Sequence, residues 1–251
     1  MSGLKKKCLG IGFGIFLLIL WEVLSLAIGK SYILPGPLLV IEKIIENREE
    51  IFFVHLPATM QVVLIGCVLS ILLGAAFAML MDLDKRIEKA LYPILTVTQT
   101  IPVMCIAPIF VLWFGYSITM RVVVVVLSNF FAVAVNVFDG LKSTSKGRSE
   151  LMLTYGASKW QRFILLRFPS SLPYFFTALK IVVPWSIVGA AVAEWLGAPN
   201  GLGTYSRSCM MNLDAAGLLA PLVVITVLAF LINAVLNFIE KRVIAWNGKE
   251  S

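Results

Sequence analysis

The sequence predicts an all-α membrane protein with six transmembrane helices and two short helices in a polar loop between the fourth and the fifth. Hydrophobic residues make up 59% of the 251 residues, and the mean hydropathy is +0.93. They form runs of roughly 20 residues, the length that a helix needs to cross a ~30 Å hydrocarbon core. One long polar stretch, residues 139–173, interrupts these runs. Together these observations exclude a soluble domain.

The six predicted spans follow the apolar runs in order. They cover residues 8–28, 56–81, 90–114, 121–138, 174–196 and 215–239. The first run follows a basic start, as in a signal peptide, but it is too long for one and no A-x-A-like cleavage site comes after it. We therefore expect a retained anchor. The predicted domains are an anchor with an outer amphipathic segment (1–55), a core (56–240) and a tail (241–251).

The segment between the first two spans predicts a short helix lying along the outer surface. Pro37 suits the first position of a helix, and Leu38, Ile41 and Ile45 recur on one face. His55, the only histidine, has no candidate partner nearby in the sequence. We expect it to be a surface residue rather than a ligand.

Small residues and prolines mark spans two and three. In span two, Gly66, Ser70, Gly74 and Ala78 recur every fourth residue, a stripe that lets another helix approach closely. Span three contains three prolines, each of which removes a backbone donor, so this helix should be kinked or locally opened. Such a span is more plausible beside a path or hinge than as packing alone.

A translocation path is predicted along spans three and five. Pro184 should open backbone groups in span five and make its neighbours available to a solute. Buried amides in span four are expected to bond neighbouring helices instead. The residues predicted to line the path are Pro102, Pro108, Trp185, Ser186 and Glu194.

Basic residues lie mainly on one side of the predicted spans. Fifteen of the 21 lysines and arginines fall with the termini and the 139–173 loop, five fall on the opposite side, and Lys180 lies in span five. The positive-inside rule places both termini and this loop in the cytoplasm. Because the basic residues flank apolar spans rather than form one face, nucleic acid is not an expected partner.

The 139–173 loop contains signals for two short helices. Ser149 is predicted to cap the first, with Glu150 in its first turn, and Gly156 to end it in the left-handed conformation. Ser158 and Gln161 have the spacing of a capping box, so a second helix should begin there. Pro169 and Pro173 are predicted to stop this second helix and turn the chain back.

Aromatic residues in the second short helix leave two interpretations of the loop. Trp160, Phe163 and Ile164 share one face, with basic residues around it. The loop is either an ordinary amphipathic segment or a docking element that presents aromatics to a partner's groove.

The loop resembles the cytoplasmic EAA loop of permease subunits from binding-protein-dependent ABC importers. That pattern reads E-A-A, three residues, G, nine residues, I-x-L-P, and Glu150, Gly156 and Pro169 stand at the matching positions. Leu166 and Phe168 replace the Ile and the Leu, and Leu151 and Met152 replace the two alanines. The resemblance implies a type I importer permease in a prokaryotic cell membrane.

The resemblance also implies partners and a coupling site. The expected assembly is a homodimer of this subunit with two ATP-binding cassette ATPase subunits and an extracytoplasmic substrate-binding protein. ATP and Mg²⁺ would be bound by the partner ATPase, with no cofactor in this chain and no enzymatic activity of its own. The residues implied in ATPase coupling are Glu150, Gly156, Ala157, Ser158, Trp160, Phe163 and Pro169.

The stretch from Gly156 to Ser206 resembles the nitrate, sulfonate, taurine and thiamin-precursor branch of these permeases. The AEWLGA segment and ELM in place of EAA favour import of a thiamin-type pyrimidine precursor, with sulfonate, taurine or nitrate as alternatives. An ion-coupled secondary transporter is a more distant alternative, but no internal repeat is visible. A membrane enzyme is disfavoured because the chain has a single histidine, scattered carboxylates and no metal-ligand spacing.

Overall fold

The computed structural model describes residues 2–244, and the side chains of residues 12–244. Within this range the chain is helical, without strands. The helices are α1 (Ser2–Ile28), α2 (Pro37–Glu46), α3 (Leu56–Leu83), α4 (Lys85–Thr98), α5 (Val103–Phe114), α6 (Ile118–Lys142), α7 (Lys146–Thr154), α8 (Lys159–Arg162), α9 (Phe168–Trp195), α10 (Leu202–Met211) and α11 (Ala215–Val243). The C-terminal part of the predicted tail, residues 245–251, lies outside the described range.

Each predicted span coincides with one described helix, except span three, which is divided between two. Among the described residues, four helical stretches are long and apolar enough to cross a membrane: Glu50–Leu83, α6, Lys159–Trp195 and α11. The bent α4–α5 pair is apolar enough to make a fifth if its two helices count as one span, and α1 contains the shorter apolar helix Gly12–Ile28. We call the end of the bundle with α7 and α8 the loop end, and the end with α2 and α10 the far end.

Span three is broken into two helices rather than merely kinked. It consists of two helices, α4 and α5, which meet at 94° across residues 99–102. Pro102 caps α5 with an extended backbone (φ −63°, ψ 112°), a conformation that cannot continue a helix. The prediction of a locally opened span is therefore confirmed at Pro102, while Pro93 and Pro108 lie inside the two helices.

The prediction that Pro169 and Pro173 stop the second short helix is wrong. The chain stays helical from Lys159 to Trp195, passing through a π-helical turn at Phe163–Arg167. Pro169 lies in the first turn of α9, directly after this widened turn, and Pro173 lies inside the helix. The π turn already departs from the regular hydrogen-bond spacing that the Pro169 ring would disturb, so the helix continues there, and α9 also accommodates Pro173 without a break.

Close packing of α3 against α6 forms the centre of the bundle. All four residues of the predicted stripe, Gly66, Ser70, Gly74 and Ala78, are buried. A Cβ atom added at Gly74 would lie 2.5 Å from the Phe130 carbonyl oxygen and from the Val133 Cβ. Because no real side chain fits at that distance, glycine permits this approach of the two backbones.

At the far end, α2 begins at Pro37 as predicted, with Gly36 as its cap. Glu22 of α1 accepts a hydrogen bond from the Leu38 amide at 3.4 Å, which ties the first turn of α2 to α1. Leu38, Ile41 and Ile45 are exposed, as expected of a face that meets lipid, whereas Val40 is buried in the core.

Replacing Gly74 by leucine should destabilise the bundle by about 1–3 kcal/mol or more, because the added atoms overlap the backbone and side chains of α6. Thermal unfolding of the purified protein in detergent measures this loss. Gly14→Ala in α1 is the matched control, since no described atom lies within 4 Å of the added Cβ. An unchanged midpoint for Gly74→Leu would contradict the close approach of α3 and α6.

Candidate coupling loop and translocation cavity

Helix α7 begins one turn earlier than the sequence predicts. Ser145, not Ser149, is its cap, and the Ser145 hydroxyl oxygen accepts from the Arg148 amide at 3.4 Å. Glu150 is therefore in the middle of α7 rather than in its first turn, and the predicted helix-dipole role does not apply to it. Its side chain is exposed at the loop end.

A tight corner after α7 turns the chain into α8, and it centres on Gly156. This residue has a φ of +76°, the left-handed conformation that was predicted. The Gly156 amide donates to the Leu153 carbonyl and the Ala157 amide to the Met152 carbonyl, each at 2.9 Å. These two bonds are those of a Schellman motif, which satisfies the last carbonyls of the helix.

The capping box at the start of α8 is present as predicted. The Gln161 amide donates to the Ser158 hydroxyl oxygen at 3.2 Å, and the Ser158 amide donates to the Gln161 side-chain oxygen at 2.8 Å. The corner between α7 and α8 is thus closed on both sides by local hydrogen bonds, which hold it in one shape.

The corner presents apolar side chains to its surroundings. Helix α7 buries none of its residues. Tyr155 is 83% exposed and Trp160 is 68% exposed. The Trp160 ring stacks on Phe163 with 5.9 Å between ring centroids, and Phe163 in turn approaches Phe168 of α9. An aromatic row therefore leads from the exposed corner to the base of a spanning helix.

A cavity of about 380 Å³ lies beside the break in span three. It is bounded by the break, by α5, by α6 and by α9, and its wall is mostly apolar, with a few polar groups. The lining residues are Gln99, Ile101, Pro102, Val103, Met104, Val124, Ser128, Phe131, Trp185, Val188, Gly189 and Val192. A mostly apolar cavity with a few polar groups is typical of a site for a small organic molecule.

Two of the predicted path residues, Pro102 and Trp185, line this cavity. Pro108 is exposed on α5 outside it. Ser186 is fully buried and faces α6, where its hydroxyl oxygen accepts from the Asn129 amide nitrogen at 3.1 Å. Asn129 thus bonds a neighbouring helix, as expected of a buried amide in span four. Glu194 lies at the far end, outside the cavity lining.

Comparison with known proteins agrees with this architecture. Residues 66–245 match the family described as the inner membrane component of binding-protein-dependent transport systems. The chain belongs to this family. It is therefore the transmembrane permease subunit of an ABC importer, and the matched range contains both the 139–173 loop and the cavity.

Relatives of this permease transport different solutes. It is 46% identical over 238 residues to the formylaminopyrimidine transport permease protein ThiX of Halalkalibacterium halodurans, covering 95% of each chain. It is 28% identical to the taurine transport system permease protein TauC of Escherichia coli, covering 98% of this chain and 92% of that one. A chain of the MetNI methionine ABC transporter in an inward-facing conformation shares the fold, with a TM-score of 0.65 and 18% identity over 74% of this chain and 93% of that chain.

At the far end of the permease, three buried side chains hold the start of α10. His55 Nδ1 accepts from the Gly201 amide at 3.0 Å, and the Thr59 hydroxyl oxygen accepts from the Leu202 amide at 2.8 Å. A Glu194 carboxylate oxygen accepts from the Gly203 amide at 2.8 Å and from the Thr59 hydroxyl at 3.1 Å. These contacts satisfy the amides that a helix start leaves without partners.

This arrangement does not follow from the sequence. His55 was expected at the surface, but it is buried and packs edge-on against Tyr205, with 5.3 Å between ring centroids. No local sequence pattern indicates a role for Thr59, since its hydrogen-bond partners are more than 130 residues away in the chain. The one local signal is the glycine-rich stretch 197–203, in which Gly201 has a φ of +147° and an added Cβ would lie 2.2 Å from the Glu194 carboxyl carbon.

Thr59→Val should lower the stability of the permease by about 1–3 kcal/mol, because it leaves the Leu202 amide and one Glu194 contact without a partner at constant side-chain size. The measurement is the thermal unfolding midpoint in detergent. Thr226→Val is the matched control, since that exposed hydroxyl bonds only the Leu222 carbonyl of its own helix among the described residues. Equal effects of the two substitutions would argue against the cluster.

Proposed function

We propose that two copies of this permease, two ATP-binding cassette subunits and an extracytoplasmic binding protein form an ATP-driven importer for a thiamin-type aminopyrimidine. The observation that carries the proposal is the exposed, internally capped corner at Gly156. ATP-driven closure of the ATPase subunits would push on residues 150–168, and the two permease copies would then rock between outward-facing and inward-facing states.

The corner has the properties of a docking surface. Its exposed aromatic and aliphatic side chains, such as Tyr155 and Trp160, cost free energy in water and gain it in a partner's groove. Its shape is set by the Schellman motif and the capping box, so little conformational entropy is lost on docking. The basic residues beside the termini and this loop support a cytoplasmic orientation, where ATP is available.

The cavity supports a flat, polar heterocycle as the solute. Trp185 offers an aromatic surface, and Gln99 and Ser128 offer polar groups in an otherwise apolar wall. Trp185 and Met104 are also largely exposed in the single chain, so a second copy packed on this side would enclose the solute. The relative named for formylaminopyrimidine transport is 46% identical to this chain, against 28% for the taurine permease, which favours that substrate class over taurine.

Gly156→Val should abolish uptake and ATPase stimulation while the permease still reaches the membrane. Valine is strongly disfavoured at a φ of +76°, so the corner must change shape even though no described atom lies within 4 Å of the added Cβ. Uptake and ATP hydrolysis by the complete importer in proteoliposomes measure the effect.

Gly147→Val is the matched control for this substitution. Gly147 lies in α7, has no positive φ and also has no described neighbour within 4 Å of the added Cβ. It should retain most of the uptake. Normal uptake by Gly156→Val would refute the coupling role of the corner.

Trp185→Ala should lower the uptake of formylaminopyrimidine roughly tenfold or more, since a stacking surface in the cavity is lost. ATPase subunits should still co-purify. Trp113→Ala is the control, because Trp113 is 70% exposed on α5 and does not line the cavity. Unchanged uptake by Trp185→Ala would contradict the placing of Trp185 in the translocation path. Faster uptake of taurine than of formylaminopyrimidine by the wild-type importer would contradict the proposed substrate class.

A further inference from the structure

Both ends of the 139–173 loop are held by carboxylates from a single corner of the fold. This acidic corner, Asp82–Glu88, connects α3 to α4 at the loop end. Lys142, where α6 leads into the loop, forms an ion pair with Glu88. Arg167, where the loop leads into α9, forms an ion pair with Asp82. The loop therefore cannot shift relative to the corner without breaking at least one of these pairs.

The Asp82–Arg167 pair is the more sheltered of the two. The side chains of Asp82 and Arg167 are 13% and 31% exposed, against 27% and 45% for Glu88 and Lys142. The Arg167 Nε also donates to the Leu141 carbonyl at 3.4 Å. One guanidinium thus joins the ends of α3, α6 and α9, and sheltered pairs respond more strongly to the removal of one partner than exposed pairs do.

The second pair is reinforced by an aromatic ring. The Lys142 Nζ lies 4.6 Å from the centroid of the Phe138 ring, within the range of a cation–π interaction. Phe138 is buried, and its ring lies 6.1 Å from that of Tyr92 in α4. The start of the loop is therefore connected to α4 both through Glu88 and through this aromatic contact.

Helix α4 leads from the acidic corner to the cavity. The Asp84 side chain caps its first turn by accepting from the Arg86 amide at 2.7 Å. Its 14 residues span about 21 Å and end at Thr98. Gln99, Ile101 and Pro102, which follow directly, line the cavity. One capped helix thus connects the corner to the break in span three.

We propose that Asp82 and Glu88 are positioning residues that transmit movement of the 139–173 loop, through α4, to the cavity-lining break at residues 99–102. This inference rests on the proposed function, because it takes ATPase docking at the loop as the source of movement. The coupling depends on ion pairs that substitutions can break and restore. A double-mutant cycle can therefore measure the energetic coupling between the two partners, which their positions alone do not show.

The experiment compares Asp82→Arg, Arg167→Asp and the double variant in the complete importer in proteoliposomes. Each single variant should import at least about fivefold less formylaminopyrimidine per ATP hydrolysed, with the ATPase subunits still bound and ATP hydrolysis retained. The double variant restores an ion pair of reversed polarity and should recover most of the lost ratio. The Leu141 contact is not restored, so recovery should be incomplete.

A charge change at Lys85 is the matched control. Lys85 lies in the same corner, is exposed, and takes part in no ion pair among the described residues. Lys85→Asp should leave the ratio of uptake to hydrolysis unchanged. If Asp82→Arg fails to insert, Asp82→Asn removes the charge at nearly constant size and should lower the same ratio.

The inference that the acidic corner transmits movement would be overturned by either of two results. One is a wild-type ratio of uptake to ATP hydrolysis in the single variants, and the other is a double variant as impaired as the single variants. A merely stabilising pair would lower the amount of intact importer without changing the ratio, which also overturns the inference. Neither result bears on ATPase docking itself. Failure of the proposed function would instead appear as normal uptake by Gly156→Val.

Discussion

The close approach of α3 and α6 is the constraint on which the other features of the permease depend. Glycines at positions 66 and 74 leave no room for a Cβ against α6, so the two backbones are held at nearly minimal separation. In a bilayer, where burial of apolar area gives little driving force between helices, such close packing supplies much of the attraction. Helix α9 then packs against both, and the positions of its two ends follow.

Polar contacts at the ends of this three-helix centre differ in kind. At the far end, neutral and acidic side chains satisfy the first amides of α10, and each partner is buried. At the loop end, ion pairs that are partly open to solvent join the helix termini. A buried hydrogen bond of the first kind leaves unpaired groups without water when it breaks, whereas the ion pairs at the loop end have partial access to water. The permease is thus built more rigidly at the end where α10 lies than at the end where force is expected to enter.

Local sequence signals predicted the local structure of the permease well. The spans followed from hydropathy, and the corner at Gly156 and the capping box at Ser158 followed from residue types a few positions apart. The start of α7 was misplaced because Ser145 and Ser149 both suit a cap, and the choice depends on the turn that precedes the helix. The continuation of the helix past Pro169 could not be predicted, because no short motif specifies the π turn that precedes it, and Pro173 lies inside α9 without breaking it.

Long-range partners could not be predicted from one sequence. Residue types alone did not connect His55 to Gly201, or Asp82 to Arg167 across 85 positions. The cavity was half predicted: Pro102 marks the opening in span three, but Pro184 lies inside the continuous helix α9 and opens nothing there. Only the 94° angle between α4 and α5 shows which side chains face the opening. Ser186 shows that proximity in sequence does not tell which side chains face the cavity. It is adjacent to Trp185, which lines the cavity, but its own side chain bonds Asn129 of α6.

The unbroken helix from Lys159 to Trp195 has a mechanical consequence. Its 37 residues extend about 55 Å, whereas the hydrocarbon core of a bilayer is ~30 Å thick. A substantial length of the helix must therefore protrude into the aqueous phase, and with its far end anchored beside α10 it behaves as a lever arm with a fixed pivot. A small tilt imposed on the protruding segment then also moves Trp185, which lies between that segment and the anchored end.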